Sequence, residues 1–157
     1  MNIRPLDPED RGYALTAWSE AHKTSPSCAR ASWWAYKLEY VAMFKRIVDD
    51  ATTEMLGAYD ERDRLLGFLV MTPGKRVDAL HWCQVKKKIG DERVPDRRGI
   101  FFDLLDAADL GPRFVYTLRG PKCRKETGAK SLDEILVAAL RDRGISATHV
   151  PLKEYPK

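Results

Sequence analysis

The spacing of apolar residues changes twice along this chain, and that change limits the folds open to it. Ahead of residue 50 the apolar side chains recur three or four residues apart: Ala14, Leu15, Trp18 and Ala21, then Trp34, Leu38, Val41, Phe44 and Val48. That spacing lines one face of a helix and predicts two of them, over residues 7–21 and 32–50. Residues 54–59 and 65–71 are instead short apolar runs joined by the charged turn 60–64, which reads as a β-hairpin. Residues 77–86 alternate, with Val77, Ala79, His81, Cys83 and Val85 on one face and Leu80, Trp82 and Gln84 on the other. After Gly99 the helical spacing returns through Ile100, Phe101, Leu104, Leu105 and Ala108, and a strand follows at 114–118. Helices and strands interleaved in this way pack as layers around one core, an α/β (α+β) arrangement.

Local signals support the division. Residues 2–6 suit an edge strand ended by proline. Asp7, Pro8, Glu9 and Asp10 form a helix start: a capping residue, a proline whose missing N–H costs nothing there, and acids at the positive end of the dipole. Ser131-Leu132-Asp133-Glu134 is a capping box, with Gly144 as the stop of that last helix. Residues 147–155 read as a closing strand, with Pro151 marking an edge or a bulge. No repeat and no long linker interrupts the 157 residues, so a single domain over 1–157 is expected.

Composition narrows the function classes. Hydrophobic residues make up 44% and charged residues 32%, the balance of a folded, water-soluble domain. No run approaches the roughly 18 apolar residues of a membrane-spanning helix. Residues 1–8 lack the basic and apolar segments of a secretory leader, so a cytoplasmic location is expected. Cys28, Cys83 and Cys123 are scattered and have no ligand spacing with His22, His81 and His149, which predicts free thiols and no metal site. There is no phosphate-binding Gly-Lys-Ser/Thr motif and no nucleophile elbow. The net charge of +4 gathers in two loop-like stretches, 86–98 and 119–130, where nucleic-acid phosphate is a conceivable partner.

The element order resembles the GCN5-related N-acetyltransferase (GNAT) family over nearly the whole chain. The residues that carry the resemblance are Ile3-Arg4-Pro5-Leu6 before an acidic helix start, Leu66-Gly67-Phe68-Leu69-Val70, Leu80-His81-Trp82-Cys83-Gln84-Val85-Lys86, and Arg97-Arg98-Gly99-Ile100 opening a helix. The strand Phe114-Val115-Tyr116-Thr117-Leu118-Arg119 is similar to small GNAT-like proteins of bacteriophages, for which host cytoplasm or a virion would be the location. The resemblance implies a mixed, mainly antiparallel sheet of six to seven strands, with about four helices on both faces. It also implies acetyl-CoA as cofactor, in a cleft where the fourth strand parts from its neighbour.

Several residues then acquire candidate roles. Lys87, Arg97, Arg98, Gly99 and Ile100 fall at the turn that binds pyrophosphate in the family, while Gln84 and Val85 fall on the strand whose backbone holds the acyl carrier. A helix start with a glycine suits a phosphate on general grounds, since its amides are unpaired. Asp96 and Phe101 depart from the family pattern, standing where Arg or Gln and a small residue are usual; Leu140 stands where many members have an acidic tyrosine. His81 is the candidate general base and Tyr116 the candidate acid, although strand histidines and tyrosines also serve as core residues. The tryptophans Trp18, Trp33, Trp34 and Trp82 are expected to build core. Three functions follow: an acyl-CoA-dependent N-acyltransferase acting on an amine-bearing small molecule or protein, a catalytically degenerate interaction or virion-associated protein, or a nucleic-acid-binding or nucleic-acid-modifying protein. Neither the acceptor nor the oligomeric state is written in the residues.

Overall fold

The computed structural model describes residues 1–23, 32–75, 78–109, 113–116, 141–142, 144 and 146–149. In chain order the elements are β1 (Asn2–Pro5), α1 (Arg11–Lys23, entered through a 3-10 turn at Pro8–Asp10), α2 (Trp33–Tyr36), a π turn (Lys37–Val41) and α3 (Ala42–Asp49). There follow β2 (Glu54–Tyr59), β3 (Leu65–Thr72), β4 (Asp78–Val85), β5 (Lys88–Ile89), β6 (Glu92–Arg93), α4 (Arg97–Ala107), β7 (Arg113–Tyr116) and β8 (Ser146–His149). Among the described residues six strands make one sheet in the order β1-β2-β3-β4-β7-β8. The first four pair antiparallel, while β4 with β7 and β7 with β8 pair parallel. This is the mixed, mainly antiparallel sheet that the sequence led one to expect.

Tyr59 fixes α1 over the sheet. Its hydroxyl accepts from the Asp7 amide at 2.9 Å and donates to Asp10 Oδ2 at 3.1 Å, tying the helix start to β2. Gly57 makes room for the ring, since a Cβ there would lie 2.5 Å from Tyr59 Cε2. Burial pushes the Tyr59 phenol up to about 12, so it stays protonated and keeps both bonds. Asp7 does stand at the N-cap, but its carboxylate makes no capping bond and instead accepts from Arg4 Nη2 at 2.7 Å.

α1 then sends Ala14, Trp18 and His22, four residues apart, into the core. Trp18 stacks on Phe44 with ring centroids 4.2 Å apart, and His22 packs edge-on to Phe44 at 5.2 Å. The Tyr36 hydroxyl donates to Ser19 O at 2.8 Å, closing α1 against α2. The helical region after Ser32 is where it was expected, but its buried face is different. Tyr36, Tyr40 and Phe44 point inward, whereas Trp34 is 67% exposed and Leu38 is 62% exposed. The wider π turn takes up an extra residue per turn, which sets those three aromatics on one line facing α1. Of the tryptophans, Trp18 and Trp82 build core as expected, while Trp33 and Trp34 are exposed.

A β-bulge changes the reading of β4. Val70 pairs with Trp82 and Met71 with Leu80, leaving His81 as the extra residue. The expected strict alternation is therefore broken: His81 joins Trp82 on the face covered by α1, and Leu80 turns to the other. The Trp18 ring lies 6.3 Å from His81 and 6.4 Å from Trp82, consistent with both sharing one face. Ile100, Phe101, Leu104 and Leu105 of α4 are buried against the sheet, where Leu69 and Cys83 are buried too.

The stretch 86–98, expected as plain loop, contains the small β5–β6 hairpin, turned at Gly90 with φ +57. Arg141 and Asp142 are helical and Gly144 has φ +71, the left-handed conformation that suits a helix stop. The capping box at 131–134, Leu140, the basic stretch 119–130 and residues 150–155 of the closing strand lie outside the described residues. No helix of the described residues is long and apolar enough to cross a membrane, and no group of His, Cys, Asp and Glu among them could hold a metal ion.

Candidate functional site

The site lies along the far half of β4. Among the described residues β4 pairs with β7 through Asp78, Ala79 and Leu80, opposite Phe114, Val115 and Tyr116. His81 follows at once as the bulge residue, and β4 continues to Val85. A bulge bends its strand and disturbs regular pairing, so His81 marks a change of direction in β4. On the β3 side the Lys86 amide donates to Leu66 O at 2.8 Å. Alternation then turns the Val85 carbonyl away from β3.

Along that stretch, Gln84 and the exposed face of α1 enclose an open pocket of about 380 Å³, lined by Tyr13, Thr16, Ala17, Glu20, Ala21 and Gln84. The α1 residues recur three, one, three and one positions apart, which is one face of a helix beside the Ala14/Trp18/His22 core stripe. Trp82 Nε1 donates to Gln84 Oε1 at 3.1 Å, so the carbonyl end of that amide is engaged and its NH2 group is the end left to donate. Glu20 is exposed and makes no ion pair among the described residues. Burial, aided by Glu20 and Asp10, raises the Tyr13 phenol and keeps it a hydrogen-bond donor. Lys86 Nζ sits 4.2 Å over the Tyr13 ring, and its partial burial lowers its ammonium.

The turn into α4 lies at the other flank of β4. Asp96 is the N-cap with φ 39 and ψ 51, and its Oδ1 accepts from the Gly99 amide at 3.0 Å. A Cβ on Gly99 would lie 2.1 Å from Asp96 Oδ2, so the glycine makes room for this carboxylate. Arg97 folds back over β4, with Nε donating to Lys86 O at 3.1 Å and Nη2 to Val85 O at 3.2 Å. Arg98 lies over the Phe102 ring at 5.7 Å, one turn along α4. Lys87 is exposed, and Ile100 and Phe101 are buried in the core. The candidate residues Gln84, Val85, Arg97 and Gly99 thus meet at one end of β4. A coenzyme A diphosphate does not fit at this turn: the amide that would receive it holds a carboxylate of the chain itself.

His81 does not face the pocket. It is fully buried, its Nε2 lies 2.9 Å from Thr72 Oγ1, and Thr72 Oγ1 lies 3.0 Å from Thr53 Oγ1. Burial lowers its imidazole to about 4, so it is neutral at neutral pH. Of Tyr116, the structure gives the backbone pairing with Leu80 and His149. Cys83 is buried and its thiol is pushed up by that burial, which makes it inert. Sequence reasoning passed over Tyr13 and Glu20. The signal was a second polar face on the first helix, Tyr13, Thr16 and Glu20, beside the apolar stripe.

Among solved structures, a Pyrococcus furiosus protein provisionally named as an acetyl transferase superposes with a TM-score of 0.56 at 20% identity, over 95% of this chain and 96% of that one. The chain has the GNAT fold. Weaker likenesses include the PaiA N-acetyltransferase of Thermoplasma acidophilum in complex with coenzyme A, with a TM-score of 0.43 at 19% identity over 69% of each chain. The aminoglycoside 6'-N-acetyltransferase of Enterococcus faecium gives 0.42 at 15% identity over 69% of this chain, which spans only 53% of that enzyme. No protein-family model and no curated protein matches the sequence. Within the GNAT fold of this chain, the polar groups of the α1 flank line an open pocket, whereas Asp96 and Arg97 on the α4 flank are hydrogen-bonded to backbone and Arg98 lies over a ring.

Proposed function

We propose that this chain is an N-acyltransferase that moves an acyl group from a thioester of the coenzyme A class to an amine. The observation that carries the reading is the open pocket between α1 and Gln84 of β4, where the Glu20 carboxylate, with no ion-pair partner among the described residues, stands with Tyr13 and Gln84. The extended thioester arm would lie along the far half of β4, where Gln84 and Val85 stand. An acceptor arriving as an ammonium meets Glu20, which orients it by charge-assisted hydrogen bonds. The Gln84 NH2 group and the Tyr13 hydroxyl are the donors available to an acyl oxygen or a departing sulfur. Buried and neutral, His81 shapes the bulge in this reading, and the proton of the amine leaves towards Glu20 and solvent.

The test is acetyl transfer from acetyl-CoA and from S-acetyl-pantetheine to a panel of primary amines, followed by thiol release. Glu20→Gln should raise KM for a cationic amine at least about tenfold, the loss of about 1.4 kcal/mol of binding, while leaving the fold intact. Absence of thiol release with every donor and amine would remove the proposal.

Asp96 favours a second reading, in which the chain keeps the fold as an interaction protein that has lost binding of the donor. Thermal shift separates the two, since a donor at a hundred times its Kd stabilises by roughly 2.7 kcal/mol.

A further inference from the structure

We infer that Asp96 closes the amino terminus of α4 to phosphate, so that the diphosphate of a coenzyme A donor is not read there. The helix has 11 residues, long enough for its terminus to carry the partial positive charge that attracts anions. That charge already has a partner. Asp96 Oδ1 takes the Gly99 amide at 3.0 Å, and the Asp96 carbonyl takes the Ile100 amide at 3.1 Å. The remaining carboxylate oxygen, Oδ2, lies in the space that a Gly99 side chain would fill. An incoming phosphate would have to displace this carboxylate or share the terminus with it, and like charges at such range repel.

The nearest arginines offer no compensation. Arg97 donates to the carbonyls of Val85 and Lys86, and the guanidinium of Arg98 lies over Phe102. The consequence for donor choice rests on the thioester reading above: recognition falls on the arm of the thioester along β4. S-acetyl-pantetheine, which lacks the diphosphate, should then be used nearly as well as acetyl-CoA.

Sodium pyrophosphate is the direct probe, followed through the amide resonances of Gly99 and Ile100 in three proteins. In the native chain those resonances should stay in place at millimolar pyrophosphate. In Asp96→Gly they should move and saturate, with an affinity at least about tenfold higher that falls with added salt. Glycine suits the left-handed backbone at position 96, and replacing an N-cap aspartate by glycine costs only a few tenths of a kcal/mol, so this variant should fold. Asp96→Asn keeps an amide oxygen in the same place without the charge and should fall between the two. Movement of the native resonances with the affinity of Asp96→Gly would overturn the inference, and so would an Asp96→Gly protein that binds no pyrophosphate. Failure of every thioester to react sinks the acyl-transfer reading alone, because the pyrophosphate titration needs no turnover.

Discussion

The two flanks of the far end of β4 handle their polar groups in opposite ways. On the α4 flank the charged side chains are spent within the chain: Asp96 on the Gly99 amide, Arg97 on the last carbonyls of β4, and Arg98 over an aromatic ring. On the α1 flank, Glu20 and the NH2 end of Gln84 face an open pocket, and burial holds the Tyr13 hydroxyl protonated beside them. A polar group already bonded contributes to stability and is poorly placed to recognise a ligand. The α1 flank is therefore where recognition should reside, and the α4 flank where substitutions should register as stability.

The largest effect should come from removing the seat of α1. Trp18 is buried between Phe44 and Trp82 and joins the helix to both α3 and the sheet. Trp18→Ala should cost about 3 to 5 kcal/mol in urea unfolding, the range for a buried aromatic replaced by alanine. A loss under 1 kcal/mol would mean that α1, and the pocket with it, is not anchored by this contact.

Acid should come next. The His81 imidazole is lowered by burial from 6.5 to about 4, so the unfolded chain takes up a proton before the folded one does. Its contribution is complete above pH 6.5 and is lost progressively as pH falls through 4, about 3 kcal/mol in all. Stability measured between those pH values should fall by roughly 1.4 kcal/mol per pH unit from this group. His81→Gln, which keeps a polar side chain opposite Thr72, should flatten that slope. An unchanged slope would show that His81 titrates as an ordinary exposed histidine.

The α4 flank supplies a smaller test. In Gly99→Ala the new methyl group would displace the Asp96 carboxylate, which lies 2.1 Å from its position. Losing that cap should cost about 1 kcal/mol. Combined with Asp96→Gly, the same alanine should cost much less, because nothing then occupies the space. Equal costs in both backgrounds would separate Gly99 from Asp96 and reopen the question of what the glycine accommodates.

These contrasts also show what the residues disclosed. The helices at 7–21 and 32–50, the hairpin of β2 and β3, and the start of α4 were legible because each rests on local spacing or a capping residue. The bulge at His81 was not: it arises from how β4 meets β3, and Ala79, His81 and Cys83 alternate as cleanly as any regular strand. The inward turn of Tyr36 and Tyr40 was hidden likewise, because a π turn leaves no mark in residue type and shifts the face that the three-four spacing selects. At the candidate site, Gln84, Val85, Arg97 and Gly99 were singled out through the resemblance, whereas placing Tyr13 and Glu20 there required α1 to be set beside β4. The departure at Asp96 was visible in the sequence. That its carboxylate bonds the Gly99 amide needed coordinates.

The smallest expected change is the most discriminating for the comparison. Glu20 is exposed on α1 and has no ion-pair partner among the described residues, so its charge supports neither the helix nor the core. Glu20→Gln removes the charge and keeps the length, and both residues are good helix formers. Unfolding free energy should therefore change by no more than about 0.5 kcal/mol, the usual limit for an exposed substitution. The Tyr13 phenol should ionise at lower pH in this variant, because Glu20 is one of the charges that raise it. Ultraviolet titration of tyrosine absorbance reads that shift without any substrate. If the phenol does not move, Glu20 and Tyr13 do not share a pocket, and the contrast between the two flanks of β4 loses its α1 side.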